Sequence, residues 1–250
     1  MTLTGLGVEA FALVYGVGPL VVQRTLTMTI DPDAPAVDPA ALDPADRNFF
    51  DQARAALEEE GFLEAGPFHV QLLRNIGNDV SLLIHAHEQT GALIATIRPV
   101  AANGSPTGKV KRYVEFSTVF NDGREINTSN AMDIPAVGQS PKKLYTGLSD
   151  VPNPIQLWQI HQAIVADAIG HATRRPIPLG SAAAYFCDSL RRDLDEKVGR
   201  GMWRKIEEGR YCPTLRGAYL MTWGELPPIK QIRVHRSRSR ASDLRQRLGV

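Results

Sequence analysis

The 250-residue chain is 43% hydrophobic and 22% charged, proportions of a folded globular protein that exclude global disorder. Two cysteines, Cys187 and Cys212, show no CxxC spacing, which excludes a disulfide scaffold and reads as two free thiols. The formal net charge of +1 hides an uneven distribution, so partners must be sought in where the charges lie.

The first 24 residues are the most apolar stretch, with Glu9 as the only charge before Arg24. Ala10–Val22 carries no charge but is shorter than the roughly 20 residues a bilayer span needs; extension back to Met1 supplies that length. No basic residue precedes the run, so it does not have the pattern of a secretory leader. Residues 1–24 are therefore read as a membrane anchor, and Arg24 after it places the rest of the chain on the cytoplasmic side. A soluble core element is the competing expectation. Residues 25–43 include "DPDAPAVDPAALDP", a Pro/Asp/Ala-rich run with no apolar period, expected to be an extended linker.

A domain spanning residues 44–228 comes next. Asp43 and Pro44 open a helix that Gly61 stops, with Phe50, Ala53 and Leu57 on one stripe. Glu58, Glu59 and Glu60 crowd its C-terminal end, where the helix dipole disfavours acids. Alternating segments at 80–88, 92–100, 110–120 and 125–130, joined by short turns such as "NDGR", predict a four-stranded antiparallel meander with one face packed and one wet. In the first strand Val80, Leu82, Ile84 and Ala86 are assigned to the core, leaving His85 and His87 exposed. Residues 131–151 read as an irregular loop. Asn153-Pro154 opens a helix with Leu157, His161, Ile164 and Ala168 on its stripe. Ser181 caps a further helix, whose apolar positions recur from Phe186 to Ile206. The expected fold class is α+β: a four-stranded antiparallel meander packed with helices, with the N-terminal anchor ahead of it.

Candidate chemistry is sparse. His85 and His87 stand two apart on one strand, a spacing that offers two imidazoles to a metal, with His69 or Glu115 as a third ligand. Solvated histidines are the simpler reading, and no cofactor is expected. His161 reads as a core histidine; its alternative role is a general base for Cys187. "NGSPTGKVKR" lacks the spacing of a phosphate loop, and "SPKK" has no companion motif for a serine–lysine pair. Arg124, Asn127, Thr128 and Asn130 gather near one sheet end and, with His161, are the polar-patch candidates.

Residues 229–250 form a basic C-terminal tail in which seven basic residues face Asp243 alone, a net of +6. Arg233, Arg236, Arg238 and Arg240 are its expected contacts to lipid or phosphate. Ten acids between Asp31 and Glu64 supply much of the balancing negative charge. The expectation is a membrane-associated binding or scaffolding module, non-catalytic, on an anionic membrane surface with the main domain cytoplasmic, and with a protein partner also open. Its alternatives are a metal-dependent or cysteine-dependent enzyme, a soluble cytoplasmic protein, and a nucleic-acid-associated protein acting through the tail.

Overall fold

The structure, a computed structural model, describes residues 13–30, 38, 40, 42–69, 78–100, 105, 107–131, 140–168 and 170–249. The fold is α+β, with six α-helices, a six-stranded mixed sheet and a three-stranded sheet among these residues.

The chain enters through a π-helical turn, Leu13–Val17, helix α1 (Gly18–Thr25) and a two-residue strand β1 (Met28–Thr29). Helix α2 (Pro44–Glu59) begins as its sequence predicts. The Asp43 side chain accepts a hydrogen bond from the Ala45 amide at 2.9 Å, and Pro44 takes the first helical position, whose N–H has no intrahelical partner. Gly61, with φ of +84°, reverses the chain after it, a conformation that costs glycine little.

The large sheet runs in the order β2 (Leu63–His69), β3 (Asn78–His87), β4 (Thr90–Pro99), β5 (Lys111–Val119), β6 (Glu125–Ser129), β7 (Lys143–Gly147). The four strands expected from the sequence are β3 to β6, all antiparallel neighbours. Two strands extend them. β2 was hidden by Gly66 and Pro67, which lower strand propensity, and its register shifts between Glu64 and Gly66. β7 lies inside the stretch read as an irregular loop and pairs parallel to β6, which makes the sheet mixed.

Helices α3 (Pro154–Ala168) and α4 (Ala182–Gly199) then cover opposite faces of the sheet. Asn153 caps α3, its Oδ1 accepting from the Ile155 amide at 2.8 Å and the Gln156 amide at 3.2 Å. Ser181 holds the N-cap position of α4 without making a side-chain capping bond. α4 stops at Gly199 instead of continuing to Ile206, and a hairpin of β8 (Trp203–Glu207) and β9 (Arg210–Pro213) takes over. Gly199 and Gly201 are weak helix formers, and pairing of β9 with both β8 and β1 supplies the backbone bonds that the helix gives up. α5 (Leu215–Glu225) and α6 (Ile229–Leu248) close the fold.

One sheet face packs against α2, α3 and α6. Leu83, Ala92, Ile94, Val114, Phe116 and Ile126 meet Phe50 and Leu57, then Leu157, Trp158 and Ile164, and finally Ala241. Phe116 is fully buried, and truncating such a side chain costs about 3–5 kcal/mol. Asp46 ties α2 to this face: Arg98 reaches its Oδ2 at 2.6 Å and Arg112 its Oδ1 at 2.6 Å. The other face carries Val80, Leu82, Ala95 and Tyr113 against Phe186 of α4. Neither face is wet as a whole, which corrects the one-sided meander: β3 places apolar side chains on both sides, and both are covered. The small sheet has its own core of Leu26, Ile30, Cys187, Leu194, Met202, Trp203 and Tyr211. Leu26 and Ile30, part of the segment read as linker, are thus buried structural residues.

Among the described residues no helix is long and apolar enough to cross a membrane. The first twelve residues of the stretch read as an anchor lie outside the described residues, and its remainder forms the π-helical turn and the short helix α1, which packs on α5. The basic tail has a defined structure. It is the helix α6, docked by Ala241 and Leu244 on the core and held by Arg245 to Asp150 at 2.6 Å and Arg247 to Asp167 at 2.7 Å.

Candidate functional site

Between the second sheet face and α4 lies a cavity of about 770 Å³, within the range of small-molecule sites. The two-residue period of the strands decides its lining. Leu93, Glu115, Asn127 and Tyr145 occupy odd-numbered positions that point away from the α2–α3 core, and α4 supplies Tyr185, Phe186, Leu190 and Asp193 from above. One half is apolar, formed by Ile84, Leu93, Ile97, Ile177, Phe186 and Leu190. The other half is polar and charged.

Lys143 organises the charged half. Its Nζ lies 3.1 Å from Glu125 Oε2 and 3.4 Å from Asp193 Oδ1, and Lys197 reaches Asp193 Oδ2 at 2.5 Å. Burial disfavours the Lys143 ammonium, but the two carboxylates outweigh it and hold its pKa above the ordinary value. Glu115 behaves oppositely. Burial, reinforced by the negative charge of Glu125 and partly offset by Lys143, pushes its carboxyl up to about 7. A carboxyl in that condition exchanges a proton near neutrality.

Asn127 donates its amide to Glu125 Oε1 at 2.9 Å, but its own Oδ1 is buried with no partner among the described residues. The Tyr185 hydroxyl, also lining the cavity, is likewise buried with no partner among the described residues. An unmade hydrogen bond at a buried group costs about 1–3 kcal/mol, so two such groups lining one cavity, Asn127 from the sheet and Tyr185 from α4, favour a guest that bonds to them.

The expected polar patch divides between the two sides of the sheet. Asn127 and Asn130 line the cavity. Thr128 and His161 lie on the other side, in the α3 core: His161 Nδ1 stands 2.9 Å from Thr128 Oγ1, and its Nε2 stands 2.9 Å from Thr118 Oγ1. Thr90 completes this network at 2.8 Å from Thr118. Burial, with a smaller push from Arg174, lowers the His161 pKa to about 3, so it is a neutral core histidine at physiological pH. Arg124 belongs to the β5–β6 turn, bonded to Asp122 at 2.7 Å and to the Ala168 carbonyl at 3.1 Å. Consecutive strand residues point to opposite faces, so Asn127 and Thr128 could not share a site.

Cys187 is in the core between α4 and the small sheet, whereas His161 is in the core on the opposite face of the large sheet. The base-and-nucleophile pairing is therefore excluded by the sheet between them. His85 and His87 do share a face, but it is the packed one. His85 is fully buried, and His87 packs tilted against Phe62 and edge-on against Trp158, with ring centroids 5.2 and 5.8 Å away. Burial, with Arg54 adding to it, lowers the His85 pKa to about 4. Glu115 sits on the cavity face and cannot join them; the side chain of His69 lies outside the described residues. Sequence reasoning met Lys143 only as the end of "SPKK", which it set aside, and did not single out Tyr185 or Asp193 as site residues. Lys143 sat in an unassigned loop, and nothing local marks which face of α4 meets the sheet.

On the tail helix, Arg233 is engaged by Glu225 at 2.6 Å, while Arg236, Arg238 and Arg240 form no ion pair among the described residues. Exposed apolar side chains lie on the neighbouring elements: Val17, Leu20 and Val21 in the segment that packs on α5, Leu220 and Trp223 on α5 itself, and Ile229 and Ile232 in the first turn of α6. Trp223 Nε1 donates to the Tyr15 carbonyl at 3.0 Å, which holds α5 against the segment before α1. The chain matches no protein-family model, and no curated protein and no solved structure matches it.

Proposed function

We propose that this chain is a non-catalytic binding module that takes a small amphipathic molecule into the cavity between the sheet and α4. The observation that carries the reading is the pair of unspent buried groups, Asn127 Oδ1 and the Tyr185 hydroxyl, on the wall of a cavity whose other half is apolar. A guest with an apolar body covers Leu93, Ile97, Phe186 and Leu190, and a hydroxyl or amide head meets Asn127 and Tyr185. The charges of Glu125, Lys143 and Asp193 already satisfy one another, so a neutral head is favoured over a strongly charged one.

Anilinonaphthalene sulfonate serves as a fluorescent probe of the apolar half. One equivalent binding to the wild type, blocked by Leu190→Trp with the fold intact by circular dichroism, supports the reading. Undiminished binding to Leu190→Trp places the probe elsewhere and counts against it.

The module is further proposed to work at a membrane surface. The exposed apolar residues of α1, α5 and the first turn of α6, together with the exposed Arg236, Arg238 and Arg240 further along α6, suit seating on the anionic cytoplasmic face of a membrane, with the apolar groups in the interface and the guanidinium groups among headgroups. Each basic residue near such a surface contributes about 1 kcal/mol. Sedimentation with phosphatidylserine vesicles tests it: the chain pellets with them at low salt, and Arg236→Gln/Arg240→Gln releases it. A chain that ignores the vesicles but binds oligonucleotides with steep salt dependence has nucleic acid as its partner instead.

A further inference from the structure

We propose that Glu58, Glu64 and His85 form a binding site for a divalent transition-metal ion at the junction of α2, β2 and β3. Their ligand atoms all lie within 4.8 Å of one another. The placement has three local causes. Glu58 is in the last turn of α2; Gly61 reverses the chain; and β2 then pairs with β3 so that Glu64 is the register partner of His85. Register partners in an antiparallel pair present their side chains on the same face, which brings the carboxylate over the imidazole.

His85 is the observation that points to a ligand. It is 0% exposed, and among the described residues neither Nδ1 nor Nε2 has a hydrogen-bond partner. The companion histidine of the core, His161, bonds through both ring nitrogens. A buried imidazole with no partner costs stability unless something outside the polypeptide completes it. Glu58 and Glu64 are exposed and close over it from the solvent side. A metal ion bound there takes one nitrogen and two oxygen ligands from the protein and the remainder from water.

Charge favours the same conclusion. The Arg54 guanidinium lies 2.7 Å from Asp51 and 3.7 Å from Glu64, and Glu58 adds a further carboxylate within 4.8 Å of Glu64. One monovalent cation leaves the group net negative. The C-terminal end of α2 adds the negative pole of the helix dipole, so acids at Glu58 and Glu59 are unfavourable there without a cation. A divalent ion resolves both. The imidazole selects zinc or a neighbouring transition metal over magnesium or calcium, which prefer oxygen ligands alone. Bonds of about 2.0–2.2 Å require the carboxylates to draw in, which two exposed glutamates can do by changing rotamer.

The test is titration of the full chain, stripped of metal by chelator and dialysed, with Zn²⁺ against a chromophoric competitor. One equivalent binds to the wild type, and Glu58→Gln and Glu64→Gln each weaken it by at least about tenfold. These substitutions are at exposed positions, so circular dichroism stays that of the wild type and loss of binding is not loss of fold. Co²⁺ in place of zinc gives visible ligand-field bands that Glu64→Gln changes. Substoichiometric zinc, or zinc binding and Co²⁺ spectra unaltered in both glutamine variants, overturns the proposal. The probe-binding cavity lies on the opposite sheet face, so either result leaves the preceding proposal to its own test.

Discussion

Lys143 and Glu125 are register partners on the parallel strands β7 and β6, and their side chains meet at 3.1 Å on the cavity floor. The pair exists because β7 runs parallel beside β6, and it makes Lys143 the cation that two carboxylates share. Lys143→Met leaves Glu125 and Asp193 in a poorly solvated place without their common partner. The expected loss is about 1–3 kcal/mol, less than for a fully buried pair because water still reaches the cavity. Urea denaturation measures it. The double variant Lys143→Met/Glu125→Leu recovers part of the loss, since no unpaired charge then remains at that position.

Glu115 and the two core histidines impose opposite pH dependences. The raised pKa of Glu115 means that its contribution is fully present below the unfolded value near 4.5 and is lost as pH rises through about 7. The pKa values of His85 and His161 are lowered, to about 4 and about 3, so the unfolded chain binds more protons and stability falls as pH drops below about 6.5. Glu115→Gln removes the first effect alone. Relative to wild type, the variant gains stability between pH 4.5 and about 7 and levels off above that. Denaturation midpoints measured on both sides of that window check the sign; a flat difference refutes the raised pKa.

Tyr185→Phe removes a buried hydroxyl that has no partner among the described residues. A buried tyrosine whose hydroxyl is bonded loses about 1 kcal/mol on this change; here the ligand-free protein is unchanged or gains about that much. Thermal unfolding in the absence of ligand distinguishes the two. A clear loss would mean that the hydroxyl is already satisfied.

Docking of α6 rests on packing more than on charge. Ala241 is 7% exposed against the α2–α3 core, whereas Arg247 and Asp167 are both exposed. Ala241→Asp buries an unpaired carboxylate and costs about 3 kcal/mol or more, while Arg247→Ala costs under about 1 kcal/mol. Amide exchange along residues 229–248 reports the undocking in the first variant and not in the second.

Much of the local structure was written in the order of residues. Asp43-Pro44, Asn153-Pro154 and Gly61 mark helix ends because caps and positive φ act within a turn or two. The stripes Phe50–Ala53–Leu57 and Leu157–His161–Ile164 are all buried, because a helix's period is intrinsic. The four central strands were legible for the same reason.

The order of residues by itself determined the α+β class, the starts of α2, α3 and α4, the stop of α2, and the alternation that separates Asn127 from Thr128. The tertiary structure alone decided which face of β3 lies under α2 and α3 and which under α4, because a strand apolar on both sides carries no local mark of what will cover it. It also decided that a basic terminal segment docks as a helix, that a lysine in an unassigned loop completes a buried charge cluster, and that Glu58 and Glu64 come to His85. Those outcomes depend on pairings between residues far apart in the chain, and no periodicity within a single segment encodes them.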